Sequence, residues 1–224
     1  MPQFPRDGAV TGMLHTVGMA GFRGVAAVGR SVEAVLNAAY AVEEPTEGGQ
    51  SRAVLIQTED LEFGSNTRIS RPAMSILLYR VDFNKTTRAA WSSVGSREGR
   101  AHLPLDLHYL LTAWADNADE EHAIIGRTMQ VLEEFGALSG PLLFPEGDWG
   151  PDETVQLYLE DMATDDLMRT FDSLPCKFHL SVPYIARVVV ITGEGNPVPD
   201  VLSFIRGLRP DVGTPVGAPA AGPS

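Results

Sequence analysis

Three side chains near the middle of the chain, Asp106, His108 and His122, are of the types that bind zinc. A helix folding back over a strand would bring them together, and a zinc ion with one open position would make the chain a small metal-dependent hydrolase. Their spacing is neither HExxH nor a comparable ligand pattern, and a polar sheet face followed by a helix N-terminus explains the same residues more simply. The single cysteine, Cys176, lies between Pro175 and Lys177, where a cation could favour the thiolate. A catalytic thiol also needs a histidine partner, which the sequence does not place, so a structural thiol is the simpler reading. Glu120–Glu121 and Asp165–Asp166 are paired carboxylates of the kind used in hydrolysis, yet each pair opens a predicted helix, where acids complement the dipole. Gly18, Gly21, Gly24 and Gly29 match neither GxGxxG nor a P-loop, and no serine sits in a GxSxG elbow. The expectation is a protein that is not an enzyme, with no catalytic residue, metal or cofactor.

Position would come from the stretch Leu103 to Gly136. Leu103, Leu105, Leu107, Tyr109, Leu111 and Ala113 alternate with Pro104, Asp106, His108, Leu110, Thr112 and Trp114, the period of a strand with one buried face. The period then lengthens, with Ile124, Ile125, Thr128, Met129, Val131, Leu132 and Phe135 forming the stripe of an amphipathic helix. Asp116 or Asn117 suits its N-cap and Gly136 its left-handed stop. Before this lie a helix over Val25 to Val42, a strand at Ala53 to Gln57, and a strand at Met74 to Asp82. The last has Ile76, Leu78 and Arg80 on one face and Ser75, Leu77, Tyr79 and Val81 on the other. Phe83 to Ala101 reads as a long exposed loop. After Gly136 come a Pro- and Gly-dense turn region at Pro141 to Pro151 and a strand at Thr154 to Leu159. Thr164 is expected to cap a short helix over Asp165 to Phe171, and a final strand over His179 to Ile191 is expected to bend near Pro183.

This order predicts an α+β fold, a largely antiparallel or mixed β-sheet with helices packed on one face. The 224 residues, 44% of them hydrophobic, suffice for one core domain, placed at residues 25–193. A glycine-rich arm, residues 1–24, should precede it, and an extension, residues 194–224, should follow. That extension holds a two-turn helix at Asp200 to Leu208 and a disordered Pro/Gly/Ala tail. The net charge of −12 without a basic run argues against nucleic-acid binding. A lone cysteine fits a reducing cytosol, Arg23, Arg30 and Glu33 keep the Val17 to Val42 stretch short of a membrane span, and the N-terminus makes a poor signal peptide. Apolar side chains fall in predicted loops, notably Trp91, Leu142, Phe144 and Trp149, and such surface usually meets a partner. Self-assembly is the economical expectation. A monomeric adaptor recruiting cargo through its tail is the alternative.

The run LPLDLHYLLTAWADNADEEHAIIGRTMQVLEEFGALSGPLL, Leu103 to Leu143, closely resembles the signature of the cap, or tube-terminator, proteins of contractile injection systems of the antifeeding-prophage and Photorhabdus-virulence-cassette type. Ser75 to Val81, Leu157 to Phe171, Leu180 to Tyr184 and Arg187 to Val189 fit the same pattern. The resemblance extends over roughly Val25 to Thr192, and the tail after Gly193 has no counterpart in it. It implies a phage tail-terminator-like fold. It also implies a homohexameric ring, assembled in the cytoplasm, whose partners are its own copies, the inner-tube protein and the sheath protein.

Overall fold

The computed structural model describes residues 20–62, 68–87 and 102–193. All fall in the first of the two units into which the chain divides, Met1–Glu194 and Gly195–Ser224. Most of the expected arm, Trp91, the helix expected at Asp200 to Leu208 and the tail lie outside the described residues. The elements are α1 (Gly24–Val42), β1 (Arg52–Ile56), β2 (Ala73–Phe83), β3 (His102–Trp114), α2 (Ala118–Phe135), β4 (Ala137–Ser139), β5 (Thr154–Leu159), α3 (Thr164–Asp172) and β6 (Ser181–Thr192). Strands follow the order β1-β2-β3-β6-β5-β4. All neighbours are antiparallel except β1 and β2, so the sheet is mixed and the fold is α+β.

Local chemistry sets the ends of α2. The Asn117 side chain accepts from the Glu120 N–H at 2.9 Å, Asp119, Glu120 and Glu121 occupy the first turn, and Gly136 closes the helix at φ +51°. At α3 the expected cap is displaced: Thr164 is already helical, and Ala163 precedes it without a side-chain cap bond. The bend in β6 also falls elsewhere. Pro183 stays in register with Leu110 while its carbonyl accepts from the Glu160 N–H, and the irregularity lies where Leu105 and Leu107 face Val189 and Ala186. The expected arm is not loose to its end, because Ala20 is fully buried, donates to the Glu153 carboxylate and accepts from the Thr192 N–H.

The alternation of β3 is real, but the expectation of one buried face was too weak. Leu105, Leu107, Tyr109, Leu111 and Ala113 join Val28, Val32 and Leu36 of α1 and Ile124, Val131 and Leu132 of α2 in the main core. On the opposite face Leu110 and Trp114 are also buried, against Ile56, Leu61, Leu77 and Phe171. Helices therefore pack on both faces, α1 and α2 on one and α3 on the other, since a central strand with two apolar faces needs two covers. Tyr40 of α1 and Thr128 of α2 share a buried hydrogen bond of 2.5 Å, and burial pushes the Tyr40 phenol up to about 12.

Among the described residues, α1 is long and apolar enough to cross a membrane, contrary to the expectation from its charges. Its burial and polar contacts make it a core helix. Along the outer edge of β1, Asn37 Oδ1 accepts from the Ala53 N–H at 3.0 Å while Asn37 Nδ2 donates to the Ala53 carbonyl at 2.9 Å. Glu33 accepts from the Leu55 N–H at 3.0 Å, and Glu44 accepts from the Ser51 N–H at 3.0 Å and the Thr46 hydroxyl at 3.0 Å.

Burial works to raise the Glu44 pKa, but the hydrogen bonds from Ser51 and Thr46 together outweigh it and hold the carboxyl below its ordinary value of 4.5. A depressed carboxyl contributes stability that is present above the unfolded-state pKa and is lost as pH falls through the folded-state pKa. Glu44→Gln keeps an acceptor and removes the titration. Its stability, measured by urea unfolding, should fall less steeply than wild type as pH drops below about 4.5.

Candidate assembly surface

Two bulges gather charged side chains from four strands or strand ends onto the sheet face opposite α1 and α2. In β2 the register slips between Leu78 and Arg80, so that Arg80 pairs with His108 and Asp82 with Asp106. Arg80 therefore leaves the face it was expected to share with Ile76 and Leu78, and Val81 takes its place. In β6 a second slip places Arg187 beside Asp106. The result is a strip of Arg80, Asp82, Asp106, His108, Glu160 and Arg187 lining a cleft of about 650 Å³.

Its members satisfy one another. His108 is buried, with Nδ1 3.0 Å from the Glu160 carboxylate and Nε2 3.3 Å from Asp82 Oδ2. Arg80 bridges the same two acids, Nε to Asp82 at 3.0 Å and Nη2 to Glu160 at 3.2 Å, and its Nη2 lies 3.0 Å from His108 Nδ1. The Tyr79 hydroxyl donates to Glu160 at 3.0 Å. Burial, and then that carboxylate, push the phenol up, so Tyr79 stays a donor. Asp106 accepts from Asn84 Nδ2 at 3.1 Å and from Arg187 Nε at 3.2 Å. Such an arrangement fixes side chains in place and offers both signs of charge to a neighbour.

Asp106 and His108 share this face, but His122 is exposed on α2, which packs on the other side of the sheet. The structure thus separates the three residues that spacing offered as zinc ligands, and no cluster of potential ligands occurs among the described residues. Burial raises the Cys176 pKa, the opposite of what activates a nucleophilic thiol. The acid pairs Glu120–Glu121 and Asp165–Asp166 open α2 and α3.

The loop carrying Leu142, Phe144 and Trp149 is fastened to α1. Leu143 between them is buried, the Phe144 N–H donates to Ser31 Oγ at 2.7 Å, and the Trp149 indole N–H donates to the Phe144 carbonyl at 2.7 Å. Arg30 lies over the Phe144 ring, 5.2 Å from its centroid, and pairs with Glu146 at 3.0 Å. Leu142 and Trp149 pack against the main core, and Leu142, Phe144 and Trp149 are all half-buried, so each keeps part of its apolar surface outside the domain. Gly147 is needed beneath the indole, since an added Cβ would come within 2.4 Å of it.

This chain, with its two-sided mixed sheet, matches the profile of a family described as the Pvc16 N-terminal domain over residues 27–201. The chain belongs to that family. Among solved structures, the Pvc16 N-terminal domain described here is similar to the sheath/tube terminator of an extracellular contractile injection system, PVC, seen by cryo-EM in the extended state. The two are 19% identical with a TM-score of 0.50, so they share a fold. The match covers 89% of this chain and 62% of the terminator, so the chain spans less than two thirds of the length of that relative. No curated protein matches the chain.

Proposed function

We propose that this chain terminates the tube and sheath of a contractile injection particle, as a ring of six copies assembled in the cytoplasm. One observation carries this reading: membership of the Pvc16 N-terminal domain family over residues 27–201, together with a fold shared with a sheath/tube terminator. A head-to-tail contact closes into a ring when its rotation divides the circle, which leaves no free surface for sideways growth. A cap also needs one face that fits the tube end and another that does not reproduce it, and that asymmetry stops elongation. The terminator unit is residues 25–193, flanked by an arm at 1–24 and an extension at 194–224. Leu142, Phe144 and Trp149, together with Trp91, serve as contacts to the next copy or the tube, and no nucleic acid, membrane anchor, cofactor or enzymatic step is involved. The part-exposed apolar surface of the first three supports that role.

Labelling the protein in purified particles tests the reading. Label confined to one end of each particle is expected. Label spread along the sheath, or absent from particles, overturns it.

A further inference from the structure

Among the described strands β1 lies at the edge of the sheet, hydrogen-bonded to β2 on one side only. An edge strand ordinarily presents a row of unpaired N–H and C=O groups to which another strand can add. Here that row is occupied from within the chain. The N–H groups of Ser51, Ala53, Leu55 and Gln57, every second residue, donate to the side chains of Glu44, Asn37, Glu33 and Asp60 respectively. Asn37 also takes the Ala53 carbonyl, so one side chain makes both bonds that a partner residue in a neighbouring strand would make.

The match of periods explains how a helix can do this. Glu33 and Asn37 are one helical turn apart, about 6 Å along α1. Their targets Leu55 and Ala53 are two residues apart, about 6.6 Å along a strand. α1 runs opposite to β1, so the two rows stay aligned. Glu44 and Asp60 continue the row from the segments just outside α1 and β1. Three of the four acceptors are acids. An incoming strand would bring carbonyl oxygens to a line of carboxylates and would have to displace charge-assisted bonds to gain neutral ones.

We infer that α1 acts as a surrogate outer strand that closes the β1 edge against strand addition by a second copy of this chain. The opposite edge, β4, is only three residues long, Ala137–Ser139, too short a template for pairing of this kind. Copies therefore meet through side-chain surfaces, and the sheet does not continue from one subunit into the next at either edge. The inference concerns the edge itself and stands or falls independently of the terminator role.

The test uses the full chain with Glu33→Ala and Asn37→Ala together, Glu33→Gln as a control that keeps an acceptor, and wild type. Two readouts are compared: amide hydrogen exchange at Ala53 and Leu55, and mass by light scattering over a range of concentrations. In wild type and Glu33→Gln both amides should be protected like interior strand positions. In the double variant their exchange should quicken about tenfold or more. The double variant should also form larger species whose infrared spectrum shows intermolecular sheet. A folded double variant that keeps the wild-type mass at all concentrations overturns the inference, as does fast exchange of the two amides in wild type. If the double variant does not fold, Glu33→Ala alone decides: Leu55 exchange should quicken while Ala53 stays protected, and unchanged exchange at Leu55 overturns the inference.

Discussion

Trp114→Ala is expected to lower the stability of the domain by about 3–5 kcal/mol, read from the urea midpoint with an unchanged slope. Trp114 is 1% exposed and stands at the end of β3 on the face covered by α3. Its indole N–H donates to Ser75 Oγ at 2.8 Å, and its ring lies 4.2 Å, centroid to centroid, from His179. Burial disfavours the charged form of His179, so the tilted ring pair, 41° between planes, is a mainly apolar contact. Truncation removes that packing, leaves a cavity beside Leu110 and Phe171, and strips the Ser75 hydroxyl of a donor. Trp114→Phe keeps most of the volume and should lose only about 1–2 kcal/mol.

The second large effect is expected at Glu160, whose side chain is only 12% exposed. It accepts from Tyr79 and Arg80 and lies against His108 Nδ1. Glu160→Ala takes the acceptor from the Tyr79 hydroxyl and from buried His108, while half-exposed Arg80 keeps Asp82, and should cost about 1–3 kcal/mol, the scale of leaving a buried polar group without a partner. Glu160→Gln retains one carbonyl acceptor and should cost less. A double-mutant cycle between Glu160→Ala and Tyr79→Phe tests whether these groups act as a network. Coupling of about 0.5 kcal/mol or more is expected, and simple additivity would contradict it.

What the sequence discloses follows the range of the interaction. The Asn117 cap and the Gly136 stop are legible because a helix end is decided within four residues. The strand periods and the helical stripes are legible for the same reason, and they suffice for an α+β sheet. Asp106 and His108 are legible as a polar face, but their partners are not, since Arg80, Glu160 and Arg187 come from other segments. A sign of the bulge is present in the residues themselves. Arg80 interrupts an apolar row, and Val81 and Phe83 continue that row one position later, which is the phase slip that an inserted residue produces.

The second cover of β3 is less accessible. Leu110 and Trp114 fall among Asp106, His108 and Thr112, and their burial depends on Ile56 and Leu61 from upstream and on Phe171 of α3 from far downstream. Glu33 and Asn37 read as ordinary polar positions of α1, because their role depends on which strand lies at the sheet edge, and strand order is set by long-range pairing. His122 illustrates the converse. Three residue types suited to zinc lie within a short stretch of sequence, yet the alternation of the sheet and the placement of α2 put the third on the far side.

The central claim is that this Pvc16 N-terminal domain protein ends the growth of an injection particle. Deleting its gene and imaging the particles by electron microscopy tests this most directly. Uncapped particles with a broad spread of tube and sheath lengths are expected, restored to one length by wild-type protein supplied in trans. Capped particles of normal, uniform length from the deletion strain would contradict it.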